Sequence, residues 1–231
     1  MSSLPPEQLP LGVRLRDRAV FASFLAGPNA GLLAQLQALL SEDRVVILLW
    51  GARGAGKSHL LQAVCHQQQS TVYLPLRQLL SLGAGSIDGA EEQRCVCIDD
   101  LHSVLGDASW ERALFRLYTE LDARGGKLLL ACDAPPAALR FVLPDLASRV
   151  LASQILALRV LDETQQRAAL QLRAHLRGLE LPEESALYLQ RRYQRDMHTL
   201  YGLLETLDVA ALSAQRRLTV PFIRAVLDQV R

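Results

Sequence analysis

Val45–Trp50 reads VVILLW, six residues without a polar position. A strand with one face in water alternates apolar and polar residues. An uninterrupted β-type run fits a strand buried on both faces. Cys95–Asp99 (CVCID) and Lys127–Cys132 (KLLLAC) have the same character. Thr71–Leu74 and Ser153–Leu158 read as further strands, the last at a sheet edge. Between the runs the period changes from two to nearly four. Leu32–Leu40, Lys57–Gln67, Arg77–Leu82 and Ser109–Ala123 read as helices, the last with Trp110, Leu114, Leu117 and Leu121 on one face. Gly83–Glu92 reads as loop. Strands alternating with helices predict an α/β fold with a parallel sheet. Right-handed crossovers would gather the carboxyl ends of the strands on one rim, where ligands bind.

After about Val160 the strand pattern stops. Asp162–Arg177, Pro182–Arg192, Met197–Leu212 and Val220–Val230 read as helices; Asp162 with Gln165 forms a capping-box pair, and Thr219 precedes Pro221 at the start of the last. The expected organisation is a Pro-rich extended tail at 1–13, an α/β domain at 14–160 and a small all-α domain at 161–231.

Composition narrows the function classes. Half of the 231 residues are hydrophobic, enough for a proper core. With 25 basic and 24 acidic residues the net charge is +1, so there is no general electrostatic case for nucleic acid or a membrane surface. No apolar run approaches ~18 residues, the length of a membrane span. MSSLPPEQLP lacks the basic and apolar regions of a secretory signal. Cys65, Cys95, Cys97 and Cys132 lie in apolar runs without metal-ligand spacing and read as reduced core thiols of a cytoplasmic protein; Cys95 and Cys97 should share a face. All the basic residues are arginine except Lys57 and Lys127. One of those two stands where a compact ammonium suits phosphate oxygens.

Lys57 ends the pattern G-x-x-x-x-G-K-[ST] in GARGAGKS, residues 51–58, directly after a strand and opening a helix. That context makes it a phosphate-binding P-loop. Gly51 opens the turn. Backbone N–H groups of Gly54, Ala55, Gly56 and Lys57 would cradle the β-phosphate, with His59 next to them; the glycines permit the close approach. Lys57 would reach the β/γ oxygens, and Ser58 would hold Mg²⁺. CVCIDD ends a strand in acid: Asp99 would face the magnesium through water, and Asp100 stands where a general base is expected or where a helix is capped. Asp133, after the strand KLLLAC, either senses the γ-phosphate or opens the turn before Ala-Pro-Pro. In LPDLASRV (143–150), Leu143, Leu146 and Val150 would pack a short helix and leave Arg149 on another face. It is either a surface arginine or a finger acting on a neighbour's nucleotide, worth ~10³–10⁵ in rate.

GARGAGKSHLLQAV, VCIDDLH, LLLACDAPP and LPDLASRV, in this order and spacing, resemble the AAA+ ATPases, specifically the DnaA-like group. Residues 21–36 (FASFLAGPNAGLLAQL) are similar to the segment before the P-loop in that group, and the C-terminal helices look like its lid. The resemblance implies an AAA+ P-loop parallel sheet flanked by helices and followed by a small all-α lid. It matches Arg149 to the family's arginine finger, acting in trans. It implies ADP or ATP with Mg²⁺ as cofactor. QLPLGV (8–13) resembles the motif by which regulatory members of the group dock on the DNA polymerase III sliding clamp (beta subunit). Gln8 would bond at the pocket edge, and Leu9, Leu11 and Val13 would anchor an extended peptide.

Neither an origin-binding domain after the lid nor an N-terminal helicase-interaction domain is expected from residues 1–231. The expectation is therefore a regulator of DnaA that lowers initiation, with no direct sequence-specific DNA binding and self-association left open. The alternative is an autonomous AAA+ ATPase such as a helicase loader or transposition helper. A small-molecule kinase would need an acceptor-binding insertion, and the loops are short. One departure concerns the lid: the family's sensor-2 arginine position falls on His198, which would touch phosphate when protonated or serve as a half-buried lid residue, while Arg195 lies on a different helical face. Asp100 is one methylene shorter than the glutamate usual there. Together these imply secure nucleotide binding, weak self-hydrolysis and ADP at rest.

Overall fold

The computed structural model describes residues 19–193, 197–214 and 217–229. Two short 3-10 turns, Phe21–Ser23 and Gly27–Asn29, precede α1 (Ala30–Leu40). Then come β1 (Val45–Trp50), α2 (Lys57–Gln67), β2 (Thr71–Pro75), α3 (Leu76–Leu79) and β3 (Cys95–Asp99). They are followed by α4 (Ala108–Ala123), β4 (Lys127–Cys132), α5 (Pro144–Leu151) and β5 (Gln154–Ala157). Four more helices follow: α6 (Glu163–Leu176), α7 (Glu183–Arg192), α8 (Met197–Ala214) and α9 (Val220–Gln229).

The strands form one parallel sheet in the order β2-β3-β4-β1-β5. The alternation of β1 explains its unbroken apolar run. Leu48 goes to one face, packed with Trp110, Leu114, Leu117 and Leu121 of α4 and with Leu146 and Val150 of α5. Val45, Ile47 and Leu49 go to the other, packed with Leu36 and Leu40 of α1 and Leu60, Leu61 and Val64 of α2. Cys95 and Cys97 share this second face, and all four cysteines are free thiols. Burying a leucine fully contributes roughly 1.5–3 kcal/mol. The two-sided core, rather than strand propensity, therefore holds the sheet. β5 is an edge strand beside β1, with Ile155 exposed.

The expected helix over Arg77–Leu82 is shorter than the pattern suggests: α3 ends at Leu79 and tightens into a 3-10 turn at Leu80–Leu82, stopped by Gly83 at φ 79°. The loop after it carries two more 3-10 turns, because Ile87 and Ala90 turn inward to the α4 face of the core.

Helices α6–α9 bury their own cluster, including Leu170, Leu189, Leu200, Leu204, Leu207 and Ile223. The capping box at α6 forms: the Gln165 N–H donates to Asp162 Oδ1 at 2.8 Å, and the Asp162 N–H donates to Gln165 Oε1 at 3.0 Å. Leu25, from before α1, packs into this helical cluster. Among the described residues no helix is long and apolar enough to cross a membrane.

Candidate functional site

The sheet order places four strand ends side by side: the Gly51–Ser58 loop after β1, Asp133 after β4, Asp99 and Asp100 at β3, and Pro75 at β2. Gly54 (φ 81°) and Gly56 (φ 99°) take left-handed backbone, which glycine adopts at little cost. A Cβ on Gly51 would lie 2.6 Å from the Leu158 carbonyl, and one on Gly56 would lie 2.6 Å from the Phe24 ring. The loop thus needs its glycines for shape, and it leads into the N-terminus of an eleven-residue helix, α2, the end of a helix that favours anions. This backbone fits a phosphate group.

The Lys57 side chain is only 7% exposed. Its ammonium meets Gly51 O at 2.7 Å, Ala52 O at 3.1 Å and Asp133 Oδ1 at 2.7 Å, so all three donors are used. Asp133 therefore lies against the P-loop lysine, whichever of its two expected roles it plays. Burial tends to raise the Asp133 carboxyl, but the Lys57 ammonium outweighs it, with His102 and Arg77 adding to the pull, and holds the carboxyl below its ordinary value. A carboxyl depressed in the fold contributes stability that is present above its unfolded pKa, about 3.9, and lost as pH falls through the folded value. Melting temperature is thus expected to drop more steeply in the parent than in Asp133→Asn between about pH 5 and about pH 2.5. Parallel curves would remove the Asp133–Lys57 pair as a source of acid sensitivity.

Asp99 is 4% exposed and is held at both oxygens: Tyr73 Oη donates to Oδ2 at 2.7 Å, and the Asp100 N–H donates to Oδ1 at 2.9 Å. Burial first, then the Asp99 charge, pushes the Tyr73 phenol well above its usual range, so it stays a donor at neutral pH. The side chains of Ser58 and Gln62 also reach this phenol. Tyr73 thus links the two expected magnesium-facing residues. Asp100 sits in left-handed backbone (φ 56°, ψ 38°) ahead of a 3-10 turn at Leu101–Ser103 and makes no side-chain cap bond. Its carboxylate lies 3.3 Å from Arg77 Nε.

His102 bridges this group. Arg77 donates to its Nε2 at 2.9 Å, and the Asp133 N–H points at its Nδ1 at 3.3 Å. A neutral imidazole accepts at one nitrogen only, so the shorter contact takes precedence. Asp100, His102 and Asp133 could in principle share a cation. Lys57 and Arg77 already neutralise the two carboxylates, so the cluster works as a charge network rather than a second metal centre. Tyr73, Arg77 and His102 were not singled out from the sequence. Polar residues at or just past strand ends were the available signal, but only the order β2-β3-β4 makes them neighbours.

His59 is half-buried on α2; its Nε2 lies 3.1 Å from Ser23 Oγ and 3.0 Å from Val20 O, and its ring stands edge-on to Phe24. The segment before α1 thus rests on the P-loop helix. Asn29, 2% exposed, ties that segment to the end of β5: it donates to Arg159 O at 2.9 Å and accepts from Arg159 N at 2.8 Å. His198 lies in α8, but its side chain is outside the description, as are Arg195 and the tail residues Gln8, Leu9, Leu11 and Val13.

Arg149 is on α5, away from the loop's own contacts. It is half-buried rather than simply exposed, because its guanidinium lies 5.1 Å from the Phe115 ring centre and 5.2 Å from that of Tyr118, both on α4. Each such cation–π contact contributes ~0.5–1 kcal/mol near the surface. That orients the group without locking it.

The fold is similar to domain III of the replication initiation protein DnaA from Thermotoga maritima, at 21% identity over 93% of this chain and 97% of that one, with a TM-score of 0.73. DnaA from Aquifex aeolicus, solved with AMPPCP bound, matches at 19% identity over 77% of this chain and 60% of that one, TM-score 0.61. RuvB from Thermotoga maritima matches at 16% identity over 86% and 68%, TM-score 0.62. Residues 145–227, from the first turn of α5 into α9, match the protein family described as Hda, lid domain. The sheet order, the P-loop after β1 and the appended helices give the chain an AAA+ fold like that of DnaA domain III. Its core is thus built like DnaA domain III, and its C-terminal part is similar to the Hda lid domain.

Proposed function

We propose that this DnaA-related replication protein is a regulator that binds an adenine nucleotide with Mg²⁺, docks on the sliding clamp by its tail, and presents Arg149 to ATP bound by DnaA. Hydrolysis there would leave DnaA inactive and prevent re-initiation. The observation that carries the reading is the placement of Arg149: an arginine stacked on two rings of α4, in a helix that begins the Hda-lid match, and separate from the Lys57–Asp133–Asp99 cluster.

In this chain's own site the loop amides and Lys57 would take the phosphates. Ser58 would hold the metal, and Asp99, oriented by Tyr73, would face it through water. Asp100 lies beside Arg77, its carboxylate 3.3 Å from Nε and so already engaged in an ion pair. Weak self-hydrolysis and ADP at rest are consistent with that setting.

Clamp docking is tested by binding of the full chain, with ADP, to the sliding clamp. The Gln8→Ala/Leu11→Ala variant is expected to lose binding by about 100-fold, the usual effect of removing two anchor residues of ~1–2 kcal/mol each. Absence of binding by the unaltered chain would remove the clamp role and favour an autonomous AAA+ ATPase.

A further inference from the structure

Glu111 is a carboxylate that no part of the nucleotide site uses. It lies in the first turn of α4 and is fully buried. Its Oε1 accepts the Gly106 N–H at 2.8 Å and the Val142 N–H at 3.0 Å; its Oε2 accepts the Val142 N–H at 2.9 Å and the Leu143 N–H at 2.6 Å. Leu143 is the N-cap residue of α5, the helix that carries Arg149. Pro144, next in line, has no N–H to offer. The carboxylate therefore takes the last backbone donors before the helix starts.

A buried acid is an inefficient way to gain stability. Its desolvation is costly, and an apolar side chain of similar volume often serves as well. What three converging N–H groups supply instead is geometry: both carboxylate oxygens are used, and the chain has one way to enter α5. The same helix supports the far end of α5. Phe115 and Tyr118 stand four and seven residues after Glu111, on the same face of α4, and their rings hold the Arg149 guanidinium. One face of one helix thus grips α5 before its first residue and again at Arg149.

We propose that Glu111 is the positioning residue of Arg149: it fixes the path of residues 142–143 so that α5 delivers the guanidinium to a partner's nucleotide in a productive pose. The inference rests on the finger reading of Arg149. Misplacing a catalytic group by about 1 Å can cost about 100-fold in rate. Glutamine at this position keeps the shape but puts an NH₂ group against backbone donors, so one of the tethers must open.

The test uses the full chain with ADP and the DNA-loaded clamp, and measures phosphate release from ATP held by DnaA at varied concentrations of the chain. Glu111→Gln is expected to lower the maximal stimulated rate by about 10- to 100-fold, with ADP affinity and clamp binding unchanged. In the Arg149→Ala background it should have no further effect. Leu36→Ala, in the core face opposite α4, serves as a control matched for loss of melting temperature and should keep the stimulated rate. If Glu111→Gln does not fold, Glu111→Asp, which keeps the charge and loses reach, is expected to give an intermediate rate. Full stimulation by Glu111→Asp, or a loss in Glu111→Gln no greater than in Leu36→Ala, would overturn the proposal. An inactive Arg149→Ala beside an unchanged Glu111→Gln would sink this inference alone, whereas an active Arg149→Ala would sink the finger reading as well.

Discussion

Arg149→Ala is expected to lower stimulated ATP hydrolysis on DnaA by about 10³- to 10⁵-fold, while this chain's melting temperature, ADP affinity and clamp binding change little. As the γ-phosphoryl group leaves, negative charge spreads over oxygens that a forked guanidinium can meet with two hydrogen bonds. The corresponding barrier reduction is ~4–7 kcal/mol. The resting contacts of Arg149 are weaker: two aromatic faces at 5.1 and 5.2 Å, each contributing ~0.5–1 kcal/mol. The stack can therefore hold the group ready and yield to phosphate. Arg149→Lys should fail almost as badly, because a point charge keeps the sign but loses the fork. The measurement is phosphate release from ATP-loaded DnaA with and without each variant, after subtracting hydrolysis by DnaA alone. Stimulation within about three-fold of the parent in Arg149→Ala, well short of the effect of a finger, would exclude that role.

Much of the scaffold can be read from local pattern. Strands buried on both faces must be apolar at successive positions, so β1, β3 and β4 announce themselves in VVILLW, CVCID and KLLLAC, with bounds equal to those observed. The start of α6 is legible because Asp162 and Gln165 are three residues apart and satisfy each other's backbone. The site is less legible, because its contacts join residues far apart in the chain. Tyr73 and Asp99 are 26 positions apart, Glu111 and Leu143 are 32, and Asn29 and Arg159 are 130. No period marks such pairs; they follow from a strand order that composition does not encode. Arg149 shows the same limit on a smaller scale. Its helix follows from Leu146 and Val150, but the aromatic shelf beneath it requires knowing that α4 lies alongside.

Lys57→Ala is expected to weaken ADP and ATP binding by about 100-fold, since a hydrogen bond to a charged group contributes ~1.5–3 kcal/mol and this lysine also screens an acid. In the parent, Asp133 Oδ1 lies 2.7 Å from the ammonium. With alanine at position 57 that carboxylate loses its nearest cation and faces incoming phosphates with its charge less opposed. The double variant Lys57→Ala/Asp133→Asn should therefore bind several-fold more tightly than Lys57→Ala alone, because the repulsion is gone although the lysine is not restored. Asp133→Asn by itself should raise affinity: the lysine keeps its two carbonyl partners, Gly51 O and Ala52 O, and its third donor is freed for phosphate. Calorimetric titration of each variant with ADP and with ATP separates the possibilities. Equal affinities for Lys57→Ala and the double variant would make Asp133 a turn residue whose charge the nucleotide never meets. A gain confined to ATP would place its carboxylate against the γ-phosphate, because only that ligand has charge there. A gain for both nucleotides would place the acid against the lysine's β-phosphate reach instead. In either of the last two cases Asp133 acts as a restraint on Lys57, holding the ammonium at the loop carbonyls until a phosphate draws it away.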